Sequence, residues 1–138
     1  MIPVHMEIAL GYIGTHEVAG PGTNPKIGEW LKSVGMDPID EIAWCAAAVN
    51  GILREAGLEG SDKPTARSYL EWGTRLHIPE FGCIVVLRRG LDWQGHVGFF
   101  MDLASDYIYV LGGNQGNRVG MSRYHDSLLL DYRKVIYL

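Results

Sequence analysis

The stretch AWCAAAVN, from Ala43 to Asn50, begins the strongest helical pattern in the chain. Apolar residues recur from there at spacings of three and four, which draws one apolar stripe along a helix; they are Cys45, Ala48, Val49, Ile52, Leu53 and Ala56. Gly57 is a typical C-terminal stop and Asp40 a candidate N-cap. The pattern predicts a helix with Cys45 near its start. Because unreactive cysteines are often buried in cores, Cys45 alone fits either packing or a reactive thiol.

Helical patterns also flank this stretch. Residues 4–13 and 25–34 carry apolar side chains at helical spacing, and Asn24 before Pro25 matches an N-cap followed by the first helical position. Residues 64–72 predict a fourth short helix.

The second half of the chain has the pattern of β-strands instead. Apolar and β-branched runs predict five strands, at residues 83–87, 97–101, 107–111, 118–124 and 130–137. A turn at Ser105 and Asp106 makes a hairpin of the second and third. Helices followed by strands indicate an α+β fold with an antiparallel sheet of about five strands. The length of 138 residues suits a single domain, 1–138.

Composition and charge exclude several classes of protein. Hydrophobic residues make up 47% and charged residues 20% of the chain, which is ordinary for a folded domain. The net charge of −4, with basic pairs only at Arg88-Arg89 and Arg133-Lys134, argues against nucleic-acid binding. No apolar run suits a membrane span, and the first residues lack the features of a secretory signal. We therefore expect synthesis in the cytoplasm, no membrane insertion, and delivery by another agent if the protein acts outside.

The chain has two cysteines, Cys45 and Cys83. A disulfide framework usually needs more, and the sequence contains neither a C-x-x-C pair nor an H-E-x-x-H motif. No phosphate-binding loop is present either. We expect no metal and no cofactor. Cys83 falls inside a predicted strand and is interpreted as core packing.

Three residues predict a nucleophilic site. Cys45 begins a helix, His96 stands at the opening of the second predicted strand, directly before residue 97, and Asn114 follows the third. The hairpin would place His96 beside Asn114, and a helix packed across that end would bring the thiol to the imidazole. An imidazolium lowers a thiol's pKa, and an amide can orient the ring. The alternatives are a surface histidine at a strand end, an asparagine used for its turn, and His16 as a rival base.

Glycines surround these positions, and we expect them to admit a substrate backbone; they are Gly95, Gly98, Gly112 and Gly113.

Four motifs together resemble a known superfamily. The Trp-Cys-Ala-Ala helix start at 44–47, the strand at 82–87, Gly-His-Val-Gly at 95–98 and Gly-Gly-Asn-Gln at 112–115 occur in this order in NlpC/P60 and CHAP-type cysteine peptidases. The pattern, with Gly20 to Pro25 as a Gly-Pro-Gly-x-Asn-Pro loop, is most similar to small phage and prophage proteins of that group. The resemblance covers nearly the whole chain. It departs at Cys83, where relatives often carry an acidic residue.

The resemblance implies a papain-like fold and hydrolysis of amide bonds in peptidoglycan. It implies Cys45 as nucleophile, His96 as base and Asn114 as the third triad residue, with the Cys45 backbone N–H in the oxyanion hole. The predicted substrate-binding residues are Glu41, Trp44, Gly95 and Gln115.

A phage lysin or a delivered antibacterial toxin fits these features. Such a protein would have peptidoglycan as its substrate and a holin, secretion-system component or immunity protein as partner. Two alternatives stay open: an acyltransferase on the same fold, which could use Trp30, Trp44, Trp72 and Trp93 to line a groove, and a non-enzymatic phage structural or binding module.

Overall fold

The computed structural model describes residues 2–19, 22–38 and 43–137. Three α-helices precede the sheet: α1 is Val4–Gly11, α2 is Pro25–Ser33 and α3 is Cys45–Glu55. Two short 3-10 helices follow, at Ala66–Glu71 and Asp126–Leu128. The strands are β1 Thr74–Leu76, β2 Ile84–Arg88, β3 Gly95–Ala104, β4 Tyr107–Gly112, β5 Gly120–His125 and β6 Leu129–Lys134.

The strands form one antiparallel sheet in the order β1-β6-β2-β3-β4-β5. The predicted α+β class and the hairpin of β3 and β4 are confirmed. About five strands were expected and the sheet has six; the additional strand is β1, which pairs with β6 at the sheet edge. This three-residue strand is too short and too exposed to show an alternating pattern. The fourth predicted helix is 3-10 helix, over Ala66–Glu71.

Helix α3 is the centre of the fold. We expected one apolar stripe, but every residue from Trp44 to Leu53 is buried, so α3 is covered on all sides. It packs between α1, α2 and strand β3. The close approach depends on small residues, because a side chain at Gly51 would overlap the indole of Trp30.

The two longer helices, α2 and α3, begin in different ways. The Asn24 side chain accepts hydrogen bonds from the backbone N–H groups of Lys26 and Ile27, as the sequence predicted for α2. Helix α3 has Trp44 at its N-cap and no side-chain capping bond. The candidate cap Asp40 lies outside the described residues. The start of α3, with Cys45, is therefore not capped by the side chain of its N-cap residue.

Buried residues form two clusters, one on each face of the sheet. Val97 and Phe99 of β3 belong to the cluster that includes the helices, whereas Phe100 belongs to the other. This division follows the period-two alternation of side chains in a strand. The helix cluster fixes α3 against β3, and so fixes Cys45 relative to the strand that carries His96. Among the described residues, no helix has the length and apolar content needed to cross a membrane.

Candidate active site

Cys45 is the first residue of α3, and its side chain is only 4% exposed. It borders a cavity of about 290 Å³. The cavity is also lined by Ala66, Arg89, Trp93 and Gly95. The predicted position of Cys45 at a helix start is confirmed, and the cavity gives a small group access to the thiol.

His96 lies near the start of β3 and is 3% exposed. It borders a second cavity, of about 550 Å³, which we call the His96-side cavity. Arg89 lines both this cavity and the one that Cys45 borders, the Cys45-side cavity. The imidazole and the Cys45 thiol interact through charge and a hydrogen bond. The structure thus brings together the predicted nucleophile and base, which lie 51 positions apart in the sequence.

The pKa values of the two groups move in the directions that favour an ion pair. Burial alone would raise the pKa of Cys45, but the charge and hydrogen bond of His96 outweigh it and lower that pKa. Burial likewise opposes a charge on His96, but the thiolate and the Gln115 side chain raise its pKa. A thiolate beside an imidazolium is the nucleophilic form of such a pair.

Gln115 holds the other side of the His96 ring. Its Oε1 lies 2.8 Å from His96 Nε2. Its Nε2 donates hydrogen bonds to the backbone oxygens of Val110 at 3.0 Å and Gly120 at 2.6 Å. Because both carbonyls need a donor, the amide orientation is fixed, and Oε1 must accept from the ring N–H. His96 Nδ1 is then the nitrogen left to face Cys45.

The hydrogen bond to His96 that we expected from Asn114 is therefore made by Gln115. Continuing the register of β3 and β4 would have set Asn114 opposite His96, but β4 ends at Gly112. Asn114 has a left-handed backbone with φ 57°, so the chain turns there and directs Gln115 back to the ring. Among the described residues, no hydrogen bond joins the Asn114 side chain to His96. Asn114 lines the His96-side cavity instead.

This geometry predicts different outcomes for neighbouring variants. Gln115→Ala removes the acceptor that orients His96, so kcat should fall about 10²-fold, while KM changes less. Asn114→Ala should lower kcat by less than about tenfold, because the ring keeps its partner. Turnover per folded molecule, corrected by thermal unfolding curves, measures both.

Asn117→Ala is the control for loss of a left-handed turn residue, since Asn117 has φ 61°. A large defect in Asn114→Ala with a normal Gln115→Ala would restore our original assignment.

Tyr124 also contacts the imidazole and was not predicted. Its ring centroid lies 5.2 Å from that of His96. Burial raises the pKa of Tyr124 to about 12, so its hydroxyl stays protonated at neutral pH. Tyr124 lies on β5 and reaches His96 only because β5 pairs with β4. The local sequence around Tyr124 therefore gave no indication of this contact.

The remaining predicted substrate-binding residues have mixed outcomes. Glu41 lies outside the described residues. Trp44 is fully buried, stacks on Trp30 and donates from Nε1 to Glu17 Oε1 at 3.2 Å, so it cannot line a groove. Gly95 does line the Cys45-side cavity. Gln115 is 5% exposed and contacts His96 rather than a substrate position.

Two of the glycines serve internal packing rather than substrate access. A Cβ at Gly98 would lie 2.9 Å from the Leu111 carbonyl oxygen of β4. A Cβ at Gly113 would lie 2.7 Å from Trp44 Cε3. Both distances are shorter than van der Waals contact, so these positions need glycine for the fold itself.

Other candidate groups lie away from this site. His16 is exposed, and its ring contacts the backbone oxygen of Gly14. His5 is buried between Tyr137 and the Gly82 carbonyl. In the described part of the chain, no three His, Cys, Asp or Glu side chains are grouped as a metal ion would require.

The two thiols should differ strongly in reactivity. Burial raises the pKa of Cys83 to about 11, whereas that of Cys45 is lowered. At pH 7, brief treatment with iodoacetamide should modify Cys45 at least about tenfold faster, because the thiolate is the reactive form. Peptide mapping by mass spectrometry identifies the modified residue. Faster labelling of Cys83 would contradict the assignment.

Comparison with known proteins supports the fold. No protein-family model and no curated protein matches the sequence. The structure is similar to a crystal structure of a lipoprotein-like protein of the NLP/P60 family from Staphylococcus aureus. The TM-score is 0.58 over 98% of this chain, at 20% sequence identity. The two share a fold. This chain spans 41% of that structure, so the likeness concerns one part of it.

Proposed function

We propose that the protein is a cysteine peptidase or amidase that hydrolyses amide bonds in the peptide of bacterial peptidoglycan. The observation that carries the proposal is the arrangement of Cys45, His96 and Gln115, in which the thiol faces an imidazole oriented by a fixed amide. The NLP/P60 fold and the motif order support the cell wall as the target.

In each step of the proposed reaction, every residue of the site has a single task. The Cys45 thiolate attacks the carbonyl carbon of the scissile amide, and backbone N–H groups at the start of α3 stabilise the oxyanion. The His96 imidazolium donates its Nδ1 proton to the leaving amine. Neutral His96 then takes a proton from water, and the hydroxide attacks the thioester. The carboxylic acid product leaves and ionises in solution, which restores the Cys45 thiolate and the His96 imidazolium. Gln115 accepts from Nε2–H throughout and keeps the ring in place.

We also propose that this activity serves phage lysis or antibacterial delivery. The motif resemblance to small phage and prophage proteins supports this narrower role. A holin or secretion system would then supply passage to the wall, and an immunity protein would protect a producing cell.

Digestion of purified peptidoglycan tests the proposed reaction. Purified sacculi are incubated with the protein, and the soluble fragments are identified by mass spectrometry. New peptide amino and carboxyl ends are expected, and their masses identify the scissile bond. Intact sacculi from both Gram-negative and Gram-positive species, with a normally folded protein, would contradict the proposal. An acyltransferase would instead release fragments only when an amine or alcohol acceptor is added.

A further inference from the structure

The two cavities beside the catalytic pair have a positively charged lining. Arg88, Arg89 and Arg123 line the His96-side cavity, and Arg89 also lines the Cys45-side cavity. None of the described residues that line either cavity is an aspartate or a glutamate. The chain as a whole has a net charge of −4, so the described lining of the cavities differs in charge from the chain as a whole.

Arg89 differs from the other two arginines in the partners of its guanidinium. Arg88 donates from Nη2 to the Ser127 carbonyl oxygen at 3.3 Å. The Arg123 guanidinium carbon lies 4.4 Å from the centroid of the Tyr107 ring. Within the described ranges, Arg89 has neither an ion-pair nor a hydrogen-bond partner, and its side chain is exposed. Its donors are therefore free to bind a ligand.

The charge of Arg89 acts on the reacting groups. It helps to lower the pKa of Cys45, and it opposes the rise in the pKa of His96. A group bound to this guanidinium would thus lie close to the scissile amide. Arg89 lies beside these groups because it directly follows β2. The last residue of β2, Arg88, pairs with Gly95 at the start of β3.

We infer that Arg89 is a specificity residue that binds a carboxylate of the substrate next to the scissile bond. This inference rests on the proposed peptidase function. A guanidinium binds a carboxylate through two parallel hydrogen bonds, which fixes position as well as charge. None of the described residues that line the two cavities is acidic, so none of them competes for it. The preferred substrate is therefore an acidic peptide, and its amidated counterpart is a poor one.

Matched peptides test the inference. One pair carries, on the residue adjacent to the cleaved bond, either a free carboxylate or a carboxamide. A second pair differs in the same way only at the C-terminal end of the peptide. The pair whose members differ in kcat/KM identifies which carboxylate is bound.

Arg89→Gln should remove the preference. The unmodified protein is expected to favour the carboxylate form of one pair by about tenfold or more in kcat/KM. In Arg89→Gln this ratio should fall to about one, and Arg89→Lys should give an intermediate value, because lysine keeps the charge without the planar fork. The ratio is the readout because any change in thiol reactivity affects both peptides alike.

Arg54→Gln is the matched control. Arg54 lies near the other end of α3, in an ion pair with Asp62 in which both side chains are about half exposed. This variant should keep the ratio of the unmodified protein. A ratio near one in the unmodified protein would overturn the inference. An unchanged carboxylate preference in Arg89→Gln would overturn it as well, and either result would identify Arg89 as a solvated surface group.

Binding to Cys45→Ala separates this inference from the proposed function. Calorimetry of that variant with the same peptides measures affinity without turnover. A carboxylate preference that depends on Arg89, with no cleavage by the unmodified protein, would overturn the proposed function and support the carboxylate site. Cleavage of both peptides without a carboxylate preference would overturn the carboxylate site alone. Equal or undetectable binding of the carboxylate and carboxamide peptides would also overturn that site.

Discussion

Cys45→Ala should lower kcat for the release of peptidoglycan fragments by at least about 10⁴-fold. In the proposed mechanism the variant loses the atom that attacks the scissile carbonyl, and no other thiol or thiolate lies beside His96 among the described residues. The fold should survive, because cysteine and alanine are similar in size and three alanines directly follow this position in α3. The measurement is fragment release by mass spectrometry, with thermal unfolding as a check of folding.

Cys83→Ala is the matched control for this loss. Cys83 is 2% exposed and belongs to the cluster on the sheet face away from the helices. Removing its sulfur should lower stability by about 1 kcal/mol, as expected for a small core truncation, and leave kcat per folded molecule unchanged. Fragment release by Cys45→Ala at the normal rate would rule out the nucleophile.

His96→Gln should lower kcat by about 10²- to 10⁴-fold. The neutral amide can neither donate a proton to the leaving amine nor keep the thiol ionised. The direction of the Cys45 pKa change follows from its causes: burial raises that pKa, and His96 provides the largest opposing effect. Loss of the imidazolium should therefore raise the pKa and shift the alkylation profile to higher pH.

The pH profile of alkylation separates this explanation from simple misfolding. In the unmodified protein, iodoacetamide should react with Cys45 well below pH 8.5, the usual pKa of a thiol, and the rate should fall only as acid protonates the thiolate. In His96→Gln the same rise should occur at higher pH. His77→Gln, at an exposed histidine, is the control and should keep the original profile. An unshifted profile in His96→Gln would contradict the ion pair.

The sequence determined much of the fold, because local patterns carry that information. Apolar spacing placed α2 and α3, and the Asn24-Pro25 pair placed the start of α2. β-Branched runs predicted the hairpin that carries His96. The positions of Cys45 at a helix start and His96 at a strand start followed from these local patterns. Both are properties of a few consecutive residues, which a single sequence records directly.

Tertiary structure decided the third member of the site. Asn114 and Gln115 are adjacent, and a strand pattern extended by two residues favours the first. The left-handed backbone at Asn114 ends that pattern and turns Gln115 toward His96. The amide of Gln115 is then fixed by carbonyl oxygens of residues on either side of the turn. No local period encodes such a contact, because it depends on where the strand stops.

Burial and pairing across the sheet were also decided by tertiary structure. Trp44 looks like a cleft residue beside the nucleophile, yet α2 and Gly113 enclose it completely. Tyr124 lies on β5 and Arg89 directly follows β2, and they meet the site only because β5 and β2 occupy the positions that they do in the sheet. Residue type and spacing thus specified which groups can react, whereas the packing of distant strands specified which of them surround the thiol, since long-range contacts are not periodic in sequence.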